Sequence, residues 1–440
     1  MRELQHNTTR YEQIMREHST HSGDTADLLY NASRHACATV TATIEHDQVI
    51  RDVAAGVAAP ALLSAVVWML HEAQHRNLDR LRFLSRDGQV LYELARRLGP
   101  TLAPKLDLEY IYSSRLTWSL AATDPNHLDD TSWLFNSFMK SNALDLCTRL
   151  GLPMEDYIET LLTAGVSLNP DSRADRTEQA EAMRRFLRTD EIKSTASQRI
   201  TETRHLLIEY ARQHSLADSR TGLVDAGWTG RMIGSLVTVC EEAGFERPHV
   251  LFWGHEPRPT GWTDPDRVAA YMYNTATHQG THWRVPDAPF VVETFCMGDH
   301  GIVSGYQRAP AGHVEPILQS HNNRPAEDWG LNIYRSTLYA FADAVTDLTD
   351  NPRPLIHELM NTFWCHPTAA EAAAWGAYPY DSDPAGTAVR PLARALSVQG
   401  PDRGDRAWLA GSLALSSDSA RGRYLSSAPP AEITGAPASD

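Results

Sequence analysis

One stretch constrains the chain most: Leu223-Val224-Asp225-Ala226-Gly227-Trp228-Thr229-Gly230-Arg231-Met232. A short apolar run ends at an acid. A small-residue loop follows, and Met232 to Ala243 then reads as a helix. Strand, acid, Gly-Thr-Gly loop, helix is an arrangement that turns backbone N–H groups and a helix N-terminus toward an anion. An acid just before that anion site can hold sugar hydroxyls. The stretch therefore predicts a site for a phosphorylated sugar. The alternative is structural, with Asp225 as a helix N-cap and Trp228 in the core.

The same strand–loop–helix order occurs earlier. Leu81 to Leu84 is a short apolar run stopped by Ser85-Arg86-Asp87-Gly88. Gln89 to Leu98 places Val90, Leu91, Leu94 and Leu98 on one helical face, and Gly99-Pro100 is expected to end it. Leu106 to Tyr112 is a second strand candidate, closing on Ser113-Ser114-Arg115. His249 to Trp253 is another, and Pro289 to Glu293 a further one. Strands alternating with helices predict an α/β fold with a parallel sheet flanked by helices.

Around that core, residues 1–75 read as a helical N-terminal region, with helices over Thr25 to Glu45 and Val49 to His75. The core spans 76–310, with a mainly helical insertion at about 125–215. Within it, Gly165 to Asp175 is an expected loop, and Ile192 to Gln213 a helix leading into the Leu223 strand. Residues 311–415 are expected to be mainly helical, including Glu327 to Asp347. Residues 416–440, rich in Ser, Ala, Gly and Pro, are expected to form a disordered tail.

A net charge of −15 argues against broad nucleic-acid binding, which needs a basic face. It leaves room for a small basic pocket. The five cysteines are scattered, with no CxxC pair, so reduced thiols and a cytoplasmic location are expected. The N-terminus has no signal-peptide core. The longest apolar run, Ala54 to Leu70, is interrupted by Pro60 and reads as too short for a membrane span.

Several side chains in the loops suit anion chemistry. Arg86 can grip phosphate oxygens in a fork, and Gly88 can let backbone approach a ligand. Asp87 could be a base, a metal ligand or a nucleophile. Ser114 and Arg115 add hydroxyl and guanidinium at a second strand end. Glu293 and His300 are plausible acid–base groups. Trp283, Trp329 and Trp364 read as core or lid residues, and His255-Glu256 carries a weaker signal. No GxSxG or P-loop pattern is present.

FLSRDGQVLYELARRL, YIYSSR and LVDAGWTGRM together resemble the C-terminal module of bacterial polysaccharide-cluster proteins. That module is similar to type I phosphoribosyltransferases and is associated with ribofuranosyl transfer from phosphoribosyl pyrophosphate (PRPP). The resemblance covers roughly residues 50–310. It implies a pyrophosphate loop at Ser85, Arg86, Asp87 and Gly88, joined by Ser114 and Arg115. It implies a PRPP loop at Asp225, Gly227, Trp228, Thr229, Gly230 and Arg231. Asp225 would hold ribose hydroxyls, while Gly227, Thr229 and Gly230 would cradle the 5-phosphate. Mg²⁺ would arrive with PRPP, with no separate protein metal site. The acceptor would be a hydroxyl of a sugar or small natural product. Asp87 or Glu293 would take its proton, with His300 nearby. Ala226 departs from ordinary phosphoribosyltransferases, where a second acid is common.

Such modules are often fused to a haloacid-dehalogenase-type phosphatase. No DxD nucleophile pair follows an early strand here, so a separate phosphatase would act on the product. Two rivals remain: a phosphatase of that type, with Asp87 as nucleophile and Asp225 as magnesium ligand, and a non-catalytic phosphosugar-binding protein.

Overall fold

The computed structural model describes residues 8–135, 141–174, 177–257, 262, 264–345, 348, 352–381, 389–397 and 407–427. Among them, β1 (Arg80–Leu84), β2 (Asp107–Ile111), β3 (Thr221–Asp225), β4 (His249–His255) and β5 (Val268–Asn274) form one sheet in the order β2-β1-β3-β4-β5. Every pairing in it is parallel. Helices flank the sheet, so the protein is α/β.

A parallel sheet covered on both faces needs apolar side chains on both. β3 is buried along its whole length. Leu223 points into one apolar cluster with Leu84, Ile233, Val250 and Phe252. Val224 points into the other, with Phe83, Leu251, Trp253 and the N-terminal helices. Full burial of each such side chain contributes about 1.5–3 kcal/mol. The insertion gathers a third cluster of its own, from Leu120 through Ile200.

The N-terminal helix Glu45–His75 runs unbroken for 31 residues. It contains the helix expected over Val49 to His75, and it continues through Pro60. A π-turn at Ala54–Ala58 precedes the proline, and the Ala59 N–H donates to Ala54 O rather than to residue 55. The wider turn accommodates the ring and the missing donor. By length and hydropathy this helix could cross a membrane, yet 94% of its apolar window is buried inside the protein, as in a core helix. All five cysteines are free.

Other boundaries shift too. The Gly88–Leu102 helix continues past Gly99 and Pro100, because Pro100 lies in the last turn and the Ala103 N–H still reaches Gly99 O. The segment from Pro289 is not a strand. It is the helix Ala288–Phe295, with the proline in its first turn, where it is tolerated. The expected Glu327–Asp347 helix divides into Arg324–Trp329 and Leu331–Ala344 at Gly330, whose φ is 131°; residues 346 and 347 lie outside the described residues. Asp418–Ser427 is helical rather than loose, and the rest of the expected tail, 428–440, also lies outside them, as does position 175 at the end of the insertion loop.

Two antiparallel pairs complete the architecture. β6 (Val303–Arg308) pairs with β7 (Val314–Leu318), and β8 (Pro379–Asp381) with β9 (Val389–Pro391).

Candidate active site

The strand order places a crevice between β1 and β3. From β1 the chain winds to β2 on one side, then crosses to β3 on the other. Ligands of open α/β sheets bind outside the strand carboxyl ends at such a reversal. The loops after β1 and β3 open there into a cavity of about 350 Å³. Ser85, Arg86, Asp87, Ser114, Arg115, Asp225, Gly227, Trp228, Thr229, Gly230, Arg231 and Glu293 all line it.

The loop after β3 is shaped by packing behind it. Gly227 has φ 150°, and a Cβ there would lie 2.3 Å from Gly254 O on β4. Gly230 has φ 70°, and its Cβ would lie 2.8 Å from Trp262 O. Both glycines are thus required by backbone approach on the side away from the ligand space. Gly230 is also the N-cap of the helix Arg231–Glu242, and among the described residues no side chain caps that helix. Arg231, Met232 and Ile233, in its first turn, line the cavity. The start of a helix is the positive end of its dipole, so an anion is favoured there.

Serines fix the other two loops. Ser85 Oγ donates to Ser113 O at 2.6 Å and accepts from Ser113 N–H at 2.8 Å. Ser114 accepts from Thr117 N–H at 3.1 Å, capping the helix Arg115–Ala122, and donates to Val303 O at 2.6 Å. Its hydroxyl therefore shapes the loop. Arg115, the first residue of that helix, is exposed and lines the cavity, with no hydrogen bond or ion pair among the described residues. Arg86 reaches across to Asp381, donating to Oδ2 at 2.9 Å.

Besides Asp381, the carboxyls of Asp87, Asp225 and Glu293 border the same space. Burial raises Asp225 to about 7, opposed by the Ala226 backbone N–H and Arg115 and helped by Glu293. Burial also raises Asp87 well above the usual carboxylate range, and the negative charges of Glu293 and Asp225 add to the rise. Burial raises Glu293 too, against Arg115 and hydrogen bonds from Tyr380 and Trp228. Trp228 Nε1–H donates to Glu293 Oε1 at 3.2 Å and Tyr380 O–H to Oε2 at 3.0 Å. Asp87 holds the N-cap position of its helix without making a side-chain cap bond, so its carboxyl remains for the cavity. Burial and these acids keep the Cys296 thiol well above its ordinary value. Among the described residues, no group of three or more His, Cys, Asp or Glu is placed to hold a metal ion.

Two expected residues lie elsewhere. Gly88 is buried and absent from the lining, and a Cβ there would sit 2.7 Å from the Phe83 carbonyl carbon. Its role is close packing of the helix on β1, not ligand approach. His300 is also off the lining. Its Nδ1–H donates to Gly301 O at 2.7 Å, which leaves Nε2 to accept from the Tyr110 hydroxyl at 2.7 Å. Burial lowers its pKa. A neutral imidazole with both nitrogens engaged is a structural residue, and His300 is removed from the acid–base set. His255 and the tryptophans expected as core or lid residues, Trp283, Trp329 and Trp364, are likewise off the lining.

Sequence reasoning missed the far wall. Phe290, Tyr378, Tyr380 and Asp381 line the cavity, and Phe290 and Tyr380 have ring centroids 5.6 Å apart. The only local signal was the aromatic–acid run Tyr378-Pro379-Tyr380-Asp381. It stands 295 positions from its partner Arg86. Gln89, Asp299 and Arg335 were missed as well. Gln89 Nε2–H donates to Asp299 Oδ1 at 2.6 Å and Arg335 to Asp299 Oδ2 at 2.8 Å, tying the Met297–His300 loop to the helix after β1.

Neither a known family model nor a curated protein matches this chain.

Proposed function

We propose that this cavity transfers a 5-phosphoribofuranosyl group from PRPP to an acceptor hydroxyl, releasing pyrophosphate. The observation that carries the proposal is the gathering of Arg86, Arg115, Asp225 and the N-terminus of the helix Arg231–Glu242 around one cavity at the sheet reversal. On this reading the core is a type I phosphoribosyltransferase-like sheet. The first-turn N–H groups hold the 5-phosphate, and Asp225 accepts from the ribose hydroxyls. Arg86 and Arg115 meet the pyrophosphate, where charge grows as the bond breaks.

The C1–O bond to pyrophosphate breaks with oxocarbenium character, and a C1–O bond to the acceptor forms with inversion. The acceptor proton passes to Asp87 or Glu293. The electron pair of the broken bond leaves on pyrophosphate. Mg²⁺ would enter as the counter-ion of PRPP, where it would supply charge neutralisation. A separate phosphatase would remove the 5-phosphate from the product. The phosphatase rival would make Asp87 the nucleophile, and Gln89 stands where the second Asp of its usual DxD pair would be.

The test is mass spectrometry of reactions containing protein, PRPP, Mg²⁺ and a panel of sugar and natural-product alcohols. Acceptor-dependent pyrophosphate release with a phosphopentosyl mass gain is expected. Phosphate release from simple phosphoesters without acceptor would favour the phosphatase, and PRPP binding without turnover would favour the non-catalytic binding protein.

A further inference from the structure

β8 puts two consecutive side chains on two different working parts of the cavity. Tyr380 O–H donates to Glu293 Oε2 at 3.0 Å. Asp381 Oδ2 accepts from Arg86 at 2.9 Å. The carrier is firmly seated. The Tyr378 N–H donates to Trp375 O at 3.0 Å, the Leu392 N–H donates to Tyr378 O at 2.9 Å, and the Trp375 side chain is fully buried. Tyr380 also packs its ring against Phe290 on the helix that bears Glu293.

Arg86 is gripped at both ends. Gly298 leaves room for its stem, since a Cβ there would sit 3.0 Å from Arg86 Cβ and 3.5 Å from Cγ. Asp381 takes one N–H of the guanidinium head. A guanidinium has five donors, so others remain for a ligand. Held this way, the planar fork presents a fixed face to the space after β1.

We infer that Tyr380 and Asp381 form a positioning strap that aligns Arg86 for the leaving pyrophosphate and Glu293 for the acceptor, so that the two ends of the reaction are set by one strand. The inference rests on the phosphoribosyl-transfer reading of the cavity. Asp381 also neutralises Arg86 before any ligand arrives. Removing that charge strengthens the pull of Arg86 on an anion while loosening its aim. The two effects push binding and turnover in opposite directions, which a residue that merely supports the fold does not do.

The experiment measures PRPP affinity by calorimetry and turnover at saturating PRPP for wild type, Asp381→Asn and Tyr380→Phe, each checked for an unchanged melting temperature. Asp381→Asn is expected to bind PRPP as tightly as wild type or up to about tenfold tighter, with turnover about tenfold lower or more, because small misalignments carry large rate effects. Tyr380→Phe keeps the ring against Phe290 and is expected to bind PRPP normally with reduced turnover. Should Asp381→Asn fail to fold, Tyr380→Phe carries the test alone. If wild type binds and turns over PRPP while affinity and turnover fall together in the variants, or neither changes, the strap is overturned and the site reading stands. If wild type neither binds nor turns over PRPP, the site reading falls and takes the strap with it.

Discussion

Asp225→Asn separates the cost of a buried carboxyl from its use. Asp225 is 8% exposed and stands at about 7 in the folded protein, against 3.8 for a free side chain. Below pH 3.8 it is protonated in both folded and unfolded chains and costs nothing. Between 3.8 and 7 the unfolded chain loses the proton while the folded one keeps it, so stability falls as pH rises. Above 7 the full cost, about 4 kcal/mol, is present. Asparagine never ionises and escapes this term. Its advantage over wild type should therefore grow between pH 5 and pH 8 by about 2–3 kcal/mol, with Asp87 and Glu293 sharing some of that proton uptake. In a chain of this length that is a melting-temperature difference on the order of a few degrees. Melting curves of both proteins at pH 5 and pH 8, without ligand, measure it. The variant should meanwhile lose PRPP affinity by about 10- to 100-fold, since charge-assisted bonds to ribose hydroxyls are each worth roughly 1.5–3 kcal/mol. A stability advantage that is the same at both pH values would refute the buried-carboxyl reasoning. Unchanged affinity would reduce Asp225 to a structural role.

Other substitutions address the remaining parts. Arg86→Lys keeps a charge but loses the planar fork, so turnover should drop more than PRPP affinity in steady-state and calorimetric comparison; wild-type turnover would remove this arginine from the mechanism. Asp87→Asn and Glu293→Gln, assayed at saturating PRPP, should single out the base by a loss of about 10²–10⁴-fold in one of them; near-normal turnover in both would place the base elsewhere. Ser114→Ala removes a helix cap and a buried bond to Val303 O, so it should lower stability by about 1–2 kcal/mol in denaturant titration. A larger effect on PRPP affinity than on stability would mean that the Ser114 hydroxyl meets the ligand.

How much of this was legible in the sequence follows contact distance along the chain. β1, β3 and β4 were readable because each holds an apolar run stopped by a polar or glycine loop, and β2 because Leu108, Tyr110 and Tyr112 alternate with Asp107, Glu109 and Ile111 before the Ser113-Ser114-Arg115 loop. β5 was missed: Val268-Ala-Ala-Tyr-Met-Tyr-Asn274 mixes residues that suit a helix as well as a strand. The segment bearing Glu293 read as a strand because Phe290, Val291 and Val292 favour one. Its buried positions Ala288, Val291, Val292 and Phe295 nevertheless follow helical spacing, a signal present in the sequence and outweighed by composition. The three loops after β1, β2 and β3 were readable because each is local. Asp381 and Tyr380 were not, since only the folded chain brings them to Arg86 and Glu293. The role of His300 was also beyond reach, because Tyr110, which occupies its Nε2, is 190 positions away.

Calorimetric titration with PRPP, ribose 5-phosphate and pyrophosphate, each with Mg²⁺, tests the donor site most directly. PRPP should bind, each fragment should compete with it, and the fragments should separate by variant. Asp225→Asn should weaken ribose 5-phosphate and spare pyrophosphate, while Arg86→Ala should do the reverse. No heat and no thermal shift with PRPP at millimolar concentration, in a folded wild-type protein, would contradict it.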